Sequence, residues 1–231
     1  MIKHISFDLW LTLIKSHPEF KEKRARFLKN EFNPKGLSVS EIMEIVQRTD
    51  IVSDRLNEIS GLKIPTDQMY RRILIQLGNT HQSITEELLR QIKSKVHGLF
   101  MDNLPGFLNS SIQSMLQTLK KDGYTLNISS NTGYIEGGTI AVTLKALDIS
   151  EYFVFCIFSD EIWASKPSFR FFEKVFEKIT FEKAEVLHVG DNFKADYVGA
   201  LKFGFKALHI KNQQYTVNDI KRSFSNLNLL V

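Results

Sequence analysis

Residues 5–13 read ISFDLWLTL and give the first indication of the fold. The stretch begins with the apolar residues of a short buried β-strand, and Asp8 stands where that strand should end. In an α/β sheet, ligands collect beyond the carboxyl ends of the strands, so an acid here lies where chemistry takes place. Asp8 is therefore the first candidate for a catalytic residue, although an aspartate can also simply end a strand.

The next part of the chain, residues 16–101, predicts helices only. Ser16, Ser38 and Ser83 are each followed three residues later by a glutamate, the spacing of a capping box. In the second predicted helix we expect the face toward the core to carry Ile42, Ile45, Val46, Val52, Leu56 and Ile59. These patterns indicate an all-helical block.

From Leu104 onward, strand patterns alternate with helical patterns. The predicted strands are residues 124–129, 153–158, 186–189 and 206–210, the predicted helices between them are 135–147, 167–178 and 197–203, and a weak helix is expected at 217–224. This alternation indicates βαβ crossovers and a parallel sheet covered on both faces. The predicted fold class is α/β, a Rossmann-like sheet flanked by helices, with residues 1–15 and 102–231 as the core and residues 16–101 as an inserted helical cap domain.

Four predicted strand ends carry polar residues. They are Asp8 after the first strand, Ser130 and Asn131 after the second, Lys166 beyond the third, and Asp191 and Asp196 after the fourth. Each signal is weak alone. Because the carboxyl ends of parallel strands meet at one edge of a sheet, we expect these side chains to form one site.

In this combination the chain resembles the haloacid dehalogenase-like hydrolases, a large and phosphatase-rich superfamily, in their helical-cap (C1) subclass. The first motif of that family is Asp-x-Asp-x-Thr after a strand, which Asp8 and Thr12 match. Ser130-Asn131 matches the second motif, Lys166-Pro167 the third, and Gly190-Asp191 with a later Asp196 the fourth. The resemblance covers the core, whereas the cap matches only in position and helicity.

The resemblance implies a Mg²⁺ site and a covalent mechanism. Asp8 would be the nucleophile that forms an aspartyl-phosphate. The metal would be held by Asp8, Asp191 and the backbone carbonyl of Trp10, with Asp196 supporting the site directly or indirectly.

The same resemblance assigns three residues to the substrate. Lys166 would contact both the nucleophile and the phosphoryl group, and Ser130 would donate a hydrogen bond to a phosphoryl oxygen. Asn131 completes the predicted substrate-binding set. The substrate implied is a small phosphorylated or otherwise anionic molecule.

Trp10 departs from the phosphatase pattern. It stands where phosphatases of this family carry the second Asp, which protonates the leaving oxygen and later activates water. Indole is a hydrogen-bond donor only and cannot take over this proton transfer.

Three functions stay open as a result. The first is a Mg²⁺-dependent phosphatase that is slow or restricted to leaving groups that need no proton. The second is a 2-haloacid dehalogenase, in which halide departs unprotonated, and the third is a binding protein with a disabled site. Asp191 and Asp196 beside Asp8 favour the phosphatase, because these acids without a metal would repel a carboxylate substrate.

Composition restricts the partners and the compartment. The chain of 231 residues has a net charge of +4, which is too small an excess to indicate nucleic-acid binding. One cysteine, Cys156, lies in an apolar run and is expected to be a buried, inert thiol. Without a disulfide, an apolar span or a signal peptide, we expect a cytoplasmic protein without a membrane partner, as a monomer or homodimer.

Some charged and titratable residues have no predicted function. Lys21, Lys23, Arg24 and Arg26 could contact an anion, but we interpret them as a solvated helix surface. His188 and His209 are interpreted as packing residues.

Overall fold

The computed structural model describes residues 1–226. Its strands are β1 (His4–Phe7), β2 (Ile14–Lys15), β3 (Gly106–Phe107), β4 (Thr125–Ser130), β5 (Phe155–Phe158), β6 (Val186–Gly190) and β7 (Lys206–His209). Its α-helices are α1 (Pro18–Phe32), α2 (Val39–Ser60), α3 (Thr66–Leu77), α4 (Glu86–Met101), α5 (Ile112–Lys121), α6 (Gly137–Ala146), α7 (Ser159–Ile162), α8 (Phe169–Phe176), α9 (Gly199–Phe203) and α10 (Val217–Asn226).

Five strands form one parallel sheet with β1 at its centre. The strand order is β5-β4-β1-β6-β7, and Phe7 pairs with Ile128 on one side and Val189 on the other. All four residues of β1 are buried, as expected for a central strand covered by helices on both faces. The predicted α/β fold class is confirmed, and this register brings the ends of β1, β4 and β6 to one edge.

Four long helices, α1–α4, lie between two short strands that the sequence did not predict. β2 and β3 form an antiparallel ribbon where the chain leaves the core and returns to it, and Leu108 N–H donates to the Leu13 carbonyl at 2.9 Å. Strands of two residues are too short to show an alternating pattern. We propose that this ribbon marks the base of a helical cap domain formed by residues 16–101.

One of the three predicted capping boxes is present. Ser38 caps α2, and its backbone and side chain exchange hydrogen bonds with a glutamate three residues later. The other two predictions are wrong. His17 caps α1, which has a proline in its first turn, and Thr85 caps α4 by accepting a hydrogen bond from the Leu88 N–H at 3.1 Å.

The predicted buried face of α2 is also wrong in its second half. The buried residues of this helix are Ile42, Val46, Thr49, Ser53 and Asn57, whereas Val52, Leu56 and Ile59 are exposed. Thr49 and Asn57 tolerate burial because they are hydrogen-bonded within the helical block, and Thr49 Oγ1 donates to the Ile45 carbonyl at 2.8 Å. Asn57 Oδ1, for example, accepts the Ile64 N–H at 2.8 Å.

No helix within residues 1–226 is both long and apolar enough to cross a bilayer. Cys156 lies half-buried in β5, and burial raises the pKa of its thiol to about 11. A thiol with so high a pKa is almost entirely protonated at neutral pH, in agreement with the expected inert cysteine.

Candidate active site

Asp8 lies at the end of the central strand. Its backbone N–H donates to the Val189 carbonyl at 2.8 Å, which continues the ladder with β6. A tight turn then brings Thr12 back, so that its hydroxyl donates to Asp8 Oδ2 at 3.0 Å. Asp8 Oδ1 accepts from Lys166 Nζ at 2.7 Å. Both oxygens of the predicted nucleophile are therefore oriented by side chains from its own motif and from the Lys166 motif.

Lys166 is a buried ammonium held between two carboxylates. Its side chain is 2% exposed, and Nζ lies 2.7 Å from Asp8 Oδ1 and 2.6 Å from Asp196 Oδ1. Burial disfavours the charge, but Asp196 and Asp8 outweigh that effect and hold the pKa of Lys166 above its usual value. The structure thus supplies the charge partners that a buried lysine needs.

Asp196 is fixed by protein donors at both carboxylate oxygens. It lies on a π-helical turn, Phe193–Val198. Its Oδ1 accepts hydrogen bonds from Lys166 Nζ and from His188 Nε2, the latter at 3.0 Å. Its Oδ2 accepts a hydrogen bond from the Asn192 N–H at 3.0 Å. Although burial opposes its charge, Lys166 and His188 hold the pKa of Asp196 well below its usual range. Gly190 is required beside it, because a Cβ there would lie 2.2 Å from Asp196 Cγ.

The third carboxylate, Asp191, completes an acidic cluster. One oxygen each from Asp8, Asp191 and Asp196 lies within 4.8 Å of the others. Burial raises the pKa of Asp8 to about 7, with Lys166 opposing and Asp196 and Asp191 adding to the increase. Burial and Asp196 also raise the pKa of Asp191.

These residues fit a divalent cation. Three carboxylates share a single lysine, so the cluster carries more negative charge than its own ammonium neutralises. Hard oxygen donors at this spacing suit Mg²⁺, which would relieve the mutual repulsion of the carboxylates.

Ser130 and Asn131 reach the same edge but are engaged with the protein. The Ser130 side chain is fully buried, lies outside the cleft lining, and donates to the Asn131 carbonyl at 3.1 Å. The Asn131 amide accepts from the Lys166 N–H at 2.8 Å and donates to the Lys166 carbonyl at 3.1 Å. Asn131 thereby ties the loop after β4 to Lys166, and contact of either residue with substrate stays a prediction.

Trp10 forms part of an apolar wall shared by core and cap. Its ring meets Phe100 of α4 edge to face at 6.2 Å, and Phe100 in turn meets Phe20 of α1 at 5.2 Å. All three side chains line the cleft above Asp8. The predicted role of the Trp10 carbonyl as a metal ligand stays a prediction.

The cleft between the sheet edge and the cap helices has a volume of about 400 Å³. Its cap side carries Lys21 and Arg24, which the sequence analysis interprets as a solvated helix surface. It also carries three acids for which the sequence predicts no role, namely Asp50, Asp54 and Glu58. Arg24 is only 8% exposed, and its guanidinium lies over the rings of Tyr134 at 4.6 Å and Phe20 at 5.2 Å. The interpretation of Arg24 as part of a solvated surface is therefore wrong.

A buried chain of hydrogen bonds connects the site to the far end of the sheet. Burial lowers the pKa of His188, so a neutral ring donates from Nε2 to Asp196 and accepts at Nδ1 from Ser6 at 3.1 Å. Further links of 2.7 to 2.8 Å join Ser6, Ser129, Asn127, His4 and Thr125. In each of these hydrogen bonds the donor can lie on the side away from Asp196 and the acceptor on the side toward it. This common direction strengthens the hydrogen bond from His188 to Asp196 by polarisation.

We predict that His188 positions Asp196 and, through it, Lys166. His188→Gln should lower kcat by about 10- to 100-fold, as for other residues that orient a site through a neighbour, with little change in KM. The matched control is His4→Gln, which disrupts the same chain at its other end without contacting Asp196. Steady-state kinetics and thermal unfolding of both variants provide the check, and an equal loss of kcat in both would contradict the positioning role.

The sheet, its buried acid–lysine centre and the covering helices define an α/β protein with a carboxylate at the end of the central strand. A family model described as "haloacid dehalogenase-like hydrolase" matches residues 5–210. The chain belongs to this family and is a hydrolase, which confirms the family inferred from the motifs, whereas the helical-cap (C1) subclass stays a prediction. No curated protein matches the sequence closely enough to count as a relative.

Solved structures share this fold at low sequence identity. A magnesium-bound protein of Bacillus subtilis assigned to the HAD hydrolases is 17% identical, with 90% of this chain and 86% of that chain covered at a TM-score of 0.66. A 2-haloacid dehalogenase of Pseudomonas syringae pv. tomato is 19% identical, with 98% and 100% covered at 0.65. A HAD phosphatase of Thermococcus onnurineus is 20% identical, with 96% and 98% covered at 0.63. These likenesses show the fold and do not distinguish phosphatase from dehalogenase.

Proposed function

We propose that the protein is a Mg²⁺-dependent phosphatase that acts on a small phosphorylated metabolite. The observation that carries the proposal is the cluster of Asp8, Asp191 and Asp196 around the single ammonium of Lys166. Without a cation, this excess negative charge would repel the carboxylate of a 2-haloacid. With a divalent cation, the same cluster suits a phosphate dianion.

The proposed chemistry is covalent and begins at Asp8. Its carboxylate oxygen forms a bond to phosphorus as the bond from phosphorus to the leaving oxygen breaks. Water then attacks phosphorus as the bond from phosphorus to the Asp8 oxygen breaks, which restores the Asp8 carboxylate and releases inorganic phosphate that carries the protons of the water. Lys166 holds Asp8 in place and offsets the charge of the phosphoryl group.

The acids of the fourth motif have different parts in this proposal. Mg²⁺ held by Asp8, Asp191 and the Trp10 carbonyl would neutralise charge on the phosphoryl oxygens. Asp196 acts indirectly, because its two oxygens already accept hydrogen bonds from Lys166, His188 and Asn192. Its contribution is to hold the ammonium beside the nucleophile.

Trp10 restricts the substrates. Since no acid stands at this position, we propose that the enzyme favours esters whose leaving group departs as a stable anion, such as aryl and acyl phosphates. Trp10 is also the one observation that favours the dehalogenase alternative, because halide needs no proton.

Four compounds assayed with Mg²⁺ or with EDTA test the proposal. We expect phosphate release from p-nitrophenyl phosphate and acetyl phosphate, slower release from glucose 6-phosphate, and no chloride release from 2-chloropropionate. EDTA should abolish the phosphate release. Chloride release that resists EDTA would replace the phosphatase with a dehalogenase, and no turnover of any compound would favour a binding protein.

A further inference from the structure

The cap side of the cleft carries charges of both signs. α1 contributes Arg24, with Lys21 exposed at the rim, and α2 contributes Asp50, Asp54 and Glu58. None of them is used by the proposed phosphoryl chemistry. Because they face the site from the side opposite Asp8, they are placed to contact the part of a substrate that lies beyond the phosphate.

Arg24 is a buried cation whose charge opposes the rise in the pKa of Asp50 that burial causes, but it is not joined to that acid by an ion pair. Among the described residues it forms no ion pair, and its Nε is buried without a hydrogen-bond acceptor. The two aromatic rings beneath the guanidinium fix its position, and the Tyr134 hydroxyl donates its own hydrogen bond to the Val46 carbonyl at 2.8 Å. Leaving the buried Nε donor of a charged guanidinium unsatisfied is costly, and a carboxylate from a ligand could supply the missing acceptor.

The acids of α2 also lack an ion pair among the described residues, although the charge of the buried Lys63 opposes the rise in the pKa of Asp50 and Asp54. Asp50, Asp54 and Glu58 are spaced four residues apart and therefore project from one face of the helix, where like charges repel one another. Glu58 accepts a hydrogen bond from Asn192 Nδ2 at 3.0 Å, across the cleft. Within residues 1–226, neither Asp50 nor Asp54 forms an ion pair, and desolvation raises the pKa of both.

Arg24 and Asp50 approach the same loop from two helices without forming an ion pair with each other. Arg24 stacks on Tyr134, and a Cβ at the neighbouring Gly133 would lie 3.1 Å from Asp50 Oδ1. A ligand with one charge of each sign could bind to both side chains over this loop. The cleft, at about 400 Å³, is large enough for such a group together with a phosphate.

We propose that the substrate is a small phosphate ester whose other end is zwitterionic, with an ammonium group bound by Asp50 and Asp54 and a carboxylate bound by Arg24. This inference rests on the proposed phosphatase function and narrows its substrate class. The ester oxygen belongs to a leaving group that departs without a proton, as Trp10 requires.

Four aryl phosphates with a common leaving group test the proposal. They are O-phospho-L-tyrosine with both charges, tyramine phosphate with the ammonium only, 3-(4-hydroxyphenyl)propionate phosphate with the carboxylate only, and p-cresyl phosphate with neither. We expect kcat/KM to be highest for phosphotyrosine, by about 10-fold or more over either singly charged ester. Hydrolysis of p-cresyl phosphate as fast as phosphotyrosine would overturn the inference while leaving the phosphatase intact.

Variants assign each charge to its partner. Asp50→Asn should reduce the preference for tyramine phosphate over p-cresyl phosphate about 10-fold. Arg24→Gln should reduce the preference for the propionate ester over p-cresyl phosphate by about the same factor. Glu44→Gln, on the exposed face of α2, is the matched control and should keep both preferences. These ratios do not depend on the folded fraction of a variant, and equal ratios in all proteins would overturn the assignment.

A binding measurement separates this inference from the chemistry. Calorimetry with L-tyrosine and with p-cresol requires no phosphoryl transfer. Tighter binding of tyrosine, weakened in Asp50→Asn, would support the zwitterion site even if no ester were hydrolysed. Equal binding of the two compounds would count against it.

Discussion

Asp8→Asn should abolish phosphate release, lowering kcat by about 10⁴-fold or more, as expected when a covalent nucleophile is removed. The amide has nearly the shape of the carboxylate but lacks the charged oxygen that bonds to phosphorus. The hydrogen bond from Thr12 can persist, and Lys166 keeps Asp196 as its partner. Loss of activity should therefore occur without loss of the fold.

Initial rates with p-nitrophenyl phosphate and thermal unfolding curves of the same preparation check this prediction. Asp122→Asn is the matched control, since this acid lies outside the site and pairs with Lys221. Its rate should equal that of the unmodified protein. An Asp8→Asn rate within tenfold of the original would rule out an aspartyl-phosphate on this residue.

The centre of the site was predictable because strand ends are visible in the sequence. Asp8 and Asp191 directly follow buried strands, and parallel pairing of β1 with β6 places both at one edge. Lys166 lies farther along its loop, yet the charge balance of the acids requires a cation near them. The polar residues at the strand ends and the rule that ligands bind at the carboxyl ends of parallel strands therefore indicate the same edge of the sheet.

The cap wall was not predictable in the same way. Hydrophobic periodicity assigns polar faces to solvent, and α2 carries both an apolar face with Val52 and Leu56 and a polar face with Asp50 and Asp54. The structure turns the polar face to the cleft and leaves the apolar one exposed. Which face lies inward depends on how the cap sits on the core, and the sequence of the helix does not contain that information.

The burial of the polar side chains of β4 was also not predictable from the sequence pattern of that strand alone. Thr125, Asn127 and Ser129 alternate with apolar residues in β4, a pattern typical of a strand with one face in water. The strand is nevertheless buried on both faces beyond its first residue, because these side chains bond to His4 and Ser6 of β1. The alternation shows which side chains of the strand are polar. Whether those side chains form hydrogen bonds with protein or with water depends on the neighbouring strand.

Trp10→Asp should restore the missing acid and base and accelerate hydrolysis of alkyl phosphates. General acid–base catalysis contributes roughly 10²- to 10⁴-fold, so we expect glucose 6-phosphate hydrolysis to rise by about 10²-fold or more. Acetyl phosphate, whose leaving group needs no proton, should gain little. Trp10 lines the cleft two residues after Asp8, and the turn that carries it is closed by the hydrogen bond from Leu11 N–H to the Ile14 carbonyl at 2.8 Å. A carboxylate introduced there therefore stands beside the reacting group on an unchanged backbone.

Trp10→Asn separates proton transfer from the loss of the indole. Both substitutions remove the contact with Phe100 and open the same space, but the amide cannot exchange a proton with the leaving oxygen. The ratio of alkyl to acyl phosphate hydrolysis should therefore rise in Trp10→Asp and stay at its original value in Trp10→Asn. If the ratio rose equally in both, the indole would act by obstructing the cleft. If it rose in neither, position 10 would have no part in protonating the leaving group, and the restriction on substrates would have to arise from the charged cap wall.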